Sequence, residues 1–385
     1  MKTQWLCFVL LAATVSCRPA QIKVNVSNPF DLTHDNITVE IAWKDILAQL
    51  PSAQPSQIMV INLKTNEEQT SQVIFAGTPS PQALLFQVTL AAKETAGFLI
   101  REGTPKPYPA KTFGRHVPER KDDFAWENDR TAFRMYGPAL AREKPSNGVD
   151  LWLKKTEKLI IDRFYHNDLK NKKSYHVDHG EGLDCYKVGH ELGAGGIAPY
   201  INDTLWVGNH YVTQEVLDNG PLRTTFRLTY NNLPAGQKTF SEDILISLDA
   251  GSQLNKAIVS FDGDFTAIRV AAGISLHNKG GVTRIRQEEE YIGYGETATS
   301  DAGLPAGRNF VGVILPGMTG TATYANQLLA LAPYSKGEKL TYYFGGGWNQ
   351  WGFADDDAWF DYLARFAACL KQPLTVTLES SSNAQ

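Results

Sequence analysis

The chain has 385 residues, a net charge of −4 at pH 7 and 11% aromatic residues. It contains no basic block and no regular stripe of Lys and Arg, which argues against a nucleic-acid-binding protein. This length accommodates one large β domain or two smaller ones.

The first residues have the features of a secretory leader. Lys2 precedes an apolar run over residues 6–15, which is too short to span a bilayer. The junction at Cys17 resembles a bacterial lipoprotein cleavage site, at which Cys17 would be acylated, although Thr14 stands where that signal favours Leu. We therefore expect residues 1–17 to be a leader and the mature protein to be secreted or lipid-anchored, in the periplasm or at the cell surface.

Alternating apolar and polar residues predict strands in the next segment. This alternation occurs at residues 22–26, 37–41, 57–63 and 84–90, with prolines in the connections. The pattern predicts an N-terminal β-sandwich-like unit over residues 18–110, which ends at the proline-rich stretch 105–109.

Residues 111–378 are expected to form the main domain, a large antiparallel β-sandwich with loops that carry the site. Strands are predicted at 225–230, 257–261, 268–276, 283–294, 310–315 and 339–344, and hairpin turns at 219–220, 262–263 and 280–281. One short C-terminal helix is predicted, which Asp355 can cap and Pro373 ends, with an apolar face between Trp359 and Leu370. Residues 379–385 are expected to be a flexible tail.

The segment 165–196 holds four of the eight histidines of the chain, together with carboxylates and six glycines. No helix or strand period is apparent, so the segment is predicted to be a long loop or a series of turns. Long loops in a compact domain are usually functional. Histidine has a pKa near working pH, so proton transfer is the preferred role. The candidate catalytic residues are His176, His179, Glu181, Tyr186 and His190.

Two other interpretations of this segment stay open. His176, Asp178 and His179 could bind a divalent metal such as Zn²⁺, but their spacing matches no established ligand motif, and no cofactor is predicted. Alternatively, the histidines have a structural role and satisfy loop carbonyls.

Two further stretches combine groups that suit carbohydrate. Residues 115–137 mix arginines and carboxylates with aromatic residues, and residues 342–352 place two tryptophans beside three glycines. Arginine forks hold carboxylates bidentately, and aromatic rings cover the apolar C–H faces of sugars. The predicted substrate-binding residues are Arg120, Trp126, Arg130, Arg134, Trp348 and Trp351. A structural alternative stays open for both stretches, with paired surface charges in the first and buried indoles in the second.

The strings P-E-R-K-D-D-F-A-W-E-N-D-R-x-A-F-R-M-Y-G-P-A-L at 118–140 and Y-H-V-D-H-G-E-G-L-D-C-Y-K-V-G at 175–189 resemble a family of secreted bacterial proteins classed as a domain of unknown function. The resemblance covers residues 22–378. It implies a companion of polysaccharide-degrading enzymes, particularly hydrolases of unsaturated uronyl oligosaccharides. By fold-level analogy alone, the central β region is similar to galactose-mutarotase-like supersandwiches. The family has no assigned catalytic residues to transfer to this chain.

These features predict an extracytoplasmic carbohydrate-active protein that acts on oligosaccharides containing uronic acid. Arginines would hold the uronate carboxylate while the histidine-rich segment removes the C5 proton in a β-elimination. Hydrolysis by a carboxyl pair such as Glu181 and Asp184 is slightly less favoured, because the histidines outnumber well-separated carboxylates. The alternatives are a non-catalytic glycan-binding lipoprotein and a sugar mutarotase or epimerase. The expected partners are an oligosaccharide and, through the lipid anchor only, a membrane.

Overall fold

Antiparallel strands dominate the structure, which confirms the predicted mainly β fold. The computed structural model describes residues 21–142, 148–277 and 280–380, so the predicted leader and Cys17 lie outside the described residues. Within this described part, no helix is long and apolar enough to cross a membrane.

The N-terminal part is a small two-sheet sandwich. Its elements are β1 (Gln21–Ser27), β2 (His34–Ala42), α1 (Trp43–Leu47), β3 (Ile58–Asn62), β4 (Glu68–Gln69), β5 (Ser71–Ile74), β6 (Ala83–Leu90) and β7 (Thr95–Glu102). One sheet has the order β2-β6-β5, and the other contains β1, β7, β3 and β4. Alternate side chains such as Val24, Ile41, Phe86 and Ile100 point between the sheets and form its core.

A third sheet carries the segments that the sequence marks as functional. It consists of β8 (Thr112–Val117), β9 (Asp123–Asn128), β10 (Ala132–Met135), β11 (Val149–Lys154) and β12 (Gly182–Asp184), in the order β12-β11-β10-β9-β8, with α2 (Ile161–Asn171) between β11 and β12. The helix packs Ile161, Phe164 and Tyr165 against Trp152 on one face of this sheet. The predicted domain boundary near residue 110 falls between β7 and β8 and stays a prediction.

The largest core lies between three sheets. The remaining elements are β13 (Ala194–Ile201), β14 (Thr204–Leu205), β15 (Thr213–Asp218), β16 (Arg223–Ala235), β17 (Lys238–Asp249), β18 (Leu254–Gly263), β19 (Ala267–Ser275), β20 (Val282–Arg286), β21 (Tyr291–Thr299), β22 (Pro305–Ile314), β23 (Gly320–Tyr324), β24 (Gln327–Ser335), β25 (Leu340–Trp348), α3 (Asp356–Lys371) and β26 (Thr375–Ser380). An eight-stranded sheet, β15-β16-β17-β18-β25-β22-β21-β20, shares this core with the β14-β13-β19-β24-β23 sheet and the β8–β12 sheet. Strand β26 pairs with β1 and so returns the C-terminal segment to the N-terminal sheet.

The C-terminal helix α3 confirms its prediction. The Asp355 side chain accepts a hydrogen bond from the Ala358 N–H at 2.9 Å, as an N-cap does. Trp359, Phe360 and Leu363 are buried on the apolar face. The helix thereby covers β21 and β22 at the end of the large sandwich.

The prediction of a loop or a series of turns over 165–196 is wrong in part: residues 165–171 complete α2 and β12 interrupts the rest, while most of the residues between these elements are irregular. The apolar face of α2 lies mostly before residue 165, so the segment by itself shows no helical period. The N-terminal amides of α2 are also capped from a distant strand, because the Ile160 and Ile161 N–H groups donate hydrogen bonds to the Glu127 carboxylate on β9. No local capping residue could therefore reveal the helix.

Two predictions in the large sandwich are also wrong. Residues 283–294 do not form one strand but belong to β20 and β21, which a turn at 287–290 connects. The dipeptides at 262–263 and 280–281 connect strands of different sheets, whereas 219–220 does connect the paired strands β15 and β16. Turn residues reverse the chain, but they do not determine the strand with which the next segment pairs.

Candidate functional site

A buried arginine holds three carboxylates at the centre of the β8–β12 sheet. Arg134 on β10 lies opposite Asp150 on β11, and its Nη2 is 2.7 Å from Asp150 Oδ2 and 2.8 Å from Asp184 Oδ2. Its Nη1 is 3.8 Å from Asp123 Oδ2. All four side chains are buried. We call these residues the Arg134 cluster.

Aromatic rings enclose the guanidinium of the Arg134 cluster. Its central carbon is 4.6, 5.2 and 5.6 Å from the ring centroids of Tyr136, Trp152 and Tyr175, within cation–π range. The hydroxyls of Tyr136 and Tyr175 each accept a hydrogen bond from Arg134 at 3.1 Å. Because Arg134 is only 1% exposed, it cannot contact a substrate. Its role is to hold the surrounding carboxyl groups in place.

The exposed edge of the cluster, which we call the rim, consists of His176, Lys187, Asp301 and Arg120. Nδ1 of His176 is 3.4 Å from Asp184 Oδ2 and 3.7 Å from Asp301 Oδ2. Lys187 forms an ion pair with Asp301. The side chains of His176, Asp301 and Lys187 are 29%, 41% and 60% exposed, so the rim is accessible from solvent.

Arg120 completes the rim from the 3₁₀ turn Pro118–Arg120. Its guanidinium lies 3.5 Å from Asp123 Oδ1 and 6.0 Å from the ring centroid of Tyr136, and it also interacts with the Tyr175 hydroxyl. Its side chain is 23% exposed. Three arginines are predicted to bind the substrate carboxylate as a clamp, namely Arg120, Arg130 and Arg134. Of these, Arg120 is the one that lies at the cluster and still reaches solvent.

The hydrogen bonds of His176 determine its tautomer. Nδ1 is 3.0 Å from the backbone oxygen of Asp184. A carbonyl oxygen can only accept, so Nδ1 carries the hydrogen and, in the neutral ring, Nε2 carries the lone pair. The arrangement leaves Nε2 able to accept a proton from a substrate.

The two carboxyl groups beside His176 are shifted in opposite directions. Burial and the neighbouring Asp150 carboxylate raise the pKa of Asp184 well above its ordinary value. Partial burial acts in the same direction on Asp301, but the hydrogen bond from Lys187 and the positive charge of Lys187 outweigh it and lower the pKa of Asp301. Opposite shifts of neighbouring acids are typical of sites that transfer protons.

A second histidine supports the rim from the large sandwich. His277 places Nε2 2.5 Å from the backbone oxygen of Lys187 and Nδ1 2.5 Å from Glu296 Oε1. Tyr294 donates to the other Glu296 oxygen at 3.1 Å. These contacts fix the loop that carries Lys187 to strand β21.

Other predicted catalytic residues have partners of their own. His179 is exposed and donates from Nε2 to the Ser174 carbonyl at 3.0 Å. Glu181 binds Arg163 through both carboxylate oxygens, at 2.9 and 3.0 Å. Glu181 and Asp184 therefore bind different arginines.

Tyr186 and His190 occupy opposite environments. Tyr186 is buried and donates from its hydroxyl to the Gly193 carbonyl at 3.0 Å, whereas His190 is exposed. In the metal alternative, Asp178 instead forms an ion pair with Lys155. Over residues 21–142, 148–277 and 280–380, no three His, Cys, Asp or Glu side chains converge as a metal ion requires.

The predicted sugar-stacking tryptophans are largely internal. Trp126 and Trp348 are 0% and 2% exposed, and their indole N–H groups donate to Asn255 and to the Ala306 carbonyl. This burial favours the structural alternative for both residues. Trp351 is partly exposed, and so is Arg130, whose guanidinium is 3.7 Å from Glu157.

Several residues of the site were not among those that the sequence indicated. Asp150 had a usable signal, because an acidic residue inside the apolar strand V-D-L-W-L-K must find a buried partner. Lys187 and Asp123 lie inside the two marked strings, but charge alone does not single them out. Asp301 and His277 come from distant loops, and only the fold brings them to the rim.

One family model and one curated protein match most of the chain. The family model described as Domain of unknown function (DUF4861) matches residues 26–376. A protein of Formosa agariphila named Uncharacterized protein P7 is 30% identical over 406 residues, a match that covers 98% of this chain and 100% of that protein.

Two solved structures are similar to this chain in fold. A glycosyl hydrolase family 38 protein from Enterococcus faecalis has a TM-score of 0.50 at 9% identity, over 94% of this chain and 48% of that chain. An alpha-mannosidase from Enterococcus faecalis V583 has a TM-score of 0.46 at 7% identity, over 95% of this chain and 46% of that chain. The chain spans about half the length of these proteins, and the likeness at this identity concerns the fold alone.

Proposed function

The chain belongs to the family described as Domain of unknown function (DUF4861), and on that premise we propose that it is an extracytoplasmic enzyme that acts on oligosaccharides containing uronic acid, by β-elimination at the rim of the Arg134 cluster. The observation that carries the proposal is the state of His176. Its Nδ1 is occupied as a donor to Asp184, so its Nε2 can act as the base. The uronate substrate follows from the family resemblance and from the positive groups beside this base.

Two cations of the rim suit a uronate carboxylate. Both side chains reach solvent: Arg120 contacts Tyr175, and Lys187 pairs with Asp301, which is 3.7 Å from His176. Neutralising the carboxylate makes the neighbouring C5 proton more acidic, which is the difficult part of the reaction. Arginine can hold a carboxylate with two parallel hydrogen bonds, so Arg120 takes the clamp role that Arg134 cannot fill.

The reaction would run as one proton abstraction and one bond cleavage. Nε2 of His176 takes the C5 proton, the freed electron pair forms the C4–C5 double bond, and the C4–oxygen bond breaks with its electrons. The leaving oxygen receives a proton from water. The imidazolium that forms is stabilised by Asp301, which its lowered pKa keeps ionised.

Glycoside hydrolysis is the second candidate reaction, and the opposite pKa shifts of Asp184 and Asp301 favour it. A raised pKa suits a general acid, and a lowered pKa suits a base or nucleophile. Asp184 is buried, however, so its proton would have to reach a glycosidic oxygen through His176. We therefore prefer elimination.

The test is a panel of uronate-containing polysaccharides and oligosaccharides with matched neutral sugars. New double bonds are followed by ultraviolet absorbance, and new reducing ends are measured in the same samples. We expect absorbance to rise with a carboxylated substrate and to be lost in His176→Gln. Reducing ends without absorbance would assign hydrolysis, anomer exchange seen by NMR would assign a mutarotase, and binding without turnover across the panel would assign a glycan-binding protein.

A further inference from the structure

The Arg134 cluster contains more buried acid than base. Asp123, Asp150 and Asp184 surround a single buried guanidinium, and Arg120 neutralises the cluster only from its edge. Nη2 of Arg134 contacts one oxygen of Asp150 and one of Asp184, so a single nitrogen serves both carboxyl groups. Two carboxylates that share one site in this way rarely both ionise.

One oxygen of the pair lacks a donor in the described part of the chain. Oδ2 of Asp150 accepts from Arg134 and from the Trp152 indole N–H at 2.9 Å, but Oδ1 is buried and has no hydrogen-bond partner among the described residues. An ionised Asp150 with one buried oxygen lacking a donor is poorly compensated, so ionising Asp184 beside it as well would be costly. Asp150 is 0% exposed, so bulk water cannot supply the missing donor at this position.

The groups around Asp150 and Asp184 do not neutralise the excess negative charge of these two carboxyl groups. The charged and titratable groups that face it are Arg120, Asp123, Arg134, Tyr136, Tyr165, Tyr175, His176, Lys187 and Asp301. Lys187 and Asp301 pair with each other, as do Arg120 and Asp123, which leaves Arg134 alone against Asp150 and Asp184.

We propose that Asp150 and Asp184 hold one proton between them at neutral pH and thereby keep His176 an uncharged base. With both acids ionised, a full negative charge would lie 3.4 Å from Nδ1 of His176 and would favour the imidazolium, which cannot accept a proton. Asp150 does not reach the rim, so it acts as a positioning residue through Asp184. The role of His176 as a base rests on the proposed function, but the shared proton does not.

Histidine NMR tests the proposal without any substrate. The His176 signal is assigned by its loss in His176→Gln, and its titration midpoint is measured in Asp150→Asn, Asp184→Asn and the control Asp178→Asn. An asparagine side chain resembles the protonated acid, so the midpoint of Asp184→Asn should match the parent. Asp150→Asn frees the proton and lets Asp184 ionise beside Arg134, so its midpoint should rise by about 1 unit or more, the usual effect of an opposite charge at this range.

Each other outcome overturns the proposal. A midpoint that falls by about 1 unit in Asp184→Asn would show that Asp184 is ionised in the parent. An unmoved midpoint in Asp150→Asn would show that burial alone protonates Asp184 and that the pair shares nothing. Should Asp150→Asn fail to fold, the Asp184→Asn result still decides whether Asp184 carries the proton. Because the readout is not turnover, these results stand even if the substrate panel shows no reaction.

Discussion

Two buried charged sites on the β8–β12 sheet differ in the balance of their charges. Lys154 and Glu127 form an ion pair at 2.6 Å with both side chains 0% exposed. Glu127 also accepts the Ile160 and Ile161 amides at the start of α2, and Lys154 also donates to the Asn128 carbonyl. Each charge of this pair has a partner of opposite sign, and neither side chain reaches solvent.

The Arg134 cluster has the same burial but a different balance. It sets three carboxylates against one arginine, leaves Asp150 Oδ1 without a donor from the described residues, and leads through His176 to an exposed rim. Both sites bury charge, so burial does not distinguish them. Our assignment of the candidate site to the Arg134 cluster rests instead on its excess of negative charge and on its contact with the solvent-accessible rim.

The largest effect on stability is expected at a third buried site, Glu242 on β17. No hydrogen bond or ion pair joins its carboxyl group to another described side chain, so this carboxyl group lacks the compensation found at the other two sites. Burial, with a smaller contribution from Asp243, raises its pKa from 4.5 to about 8. The folded state therefore binds this proton more tightly than the unfolded state, so the contribution to stability is greatest below pH 4.5 and is lost as the pH rises to about 8. The whole change is on the order of 5 kcal/mol.

Glu242→Gln should remove this contribution. Urea unfolding between about pH 4 and pH 9 should show a flatter profile for the variant and a higher free energy of unfolding than the parent at the alkaline end. Parallel profiles for the two proteins would mean that the Glu242 carboxyl group is solvated and that its pKa is not raised.

Breaking the balanced pair should come next in size. Lys154→Met leaves the Glu127 carboxylate buried without its counter-charge and should lower the free energy of unfolding by about 3–5 kcal/mol. The double variant Lys154→Met/Glu127→Gln should recover part of this loss. Turnover per folded molecule should not change, and a specific loss of turnover in fully folded protein would remove the distinction between the two sites.

Substrate selectivity should depend on the rim and not on its neighbours. Arg120→Ala should raise KM for carboxylated substrates about tenfold to hundredfold, since a hydrogen bond to a charged group contributes about 1.5–3 kcal/mol. KM for carboxyl-reduced substrates should stay the same. Arg130→Ala is the matched control, because Arg130 is also partly exposed but pairs with Glu157 away from the cluster; an equal rise in both variants would contradict the clamp assignment.

The smallest effect is expected at the exposed ion pair of Arg163 and Glu181. Their side chains are 41% and 33% exposed. Glu181→Ala should therefore change stability by less than about 1 kcal/mol and leave turnover unchanged. Thermal unfolding and the absorbance assay measure both. A large loss of turnover would return Glu181 to the catalytic role that the sequence suggests.

The sequence predicted the fold better than the site. Strand alternation in segments such as 22–26 and 225–230 reports burial directly, so the β class and most strands follow from it. Helix α2 was missed because its N-terminal cap is supplied by Glu127 from another strand. The candidate site follows from the sequence only in part: His176 and Arg120 lie at the cluster, but the burial of Arg134 and Trp126 depends on sheet packing. Asp301 reaches His176 from a distant part of the sequence, and no local pattern can report such a contact.

The most direct test of the account compares two neighbouring histidines of the same segment. His176 faces the Asp184 and Asp301 carboxyl groups, whereas His179 is exposed and binds the Ser174 carbonyl. On the best substrate of the uronate panel, His176→Ala should lower turnover about 10²–10⁴-fold, as loss of a general base does, while His179→Ala should turn over like the parent. If the two variants have equal turnover, whether both are active or both inactive, the rim of the Arg134 cluster is not the catalytic centre.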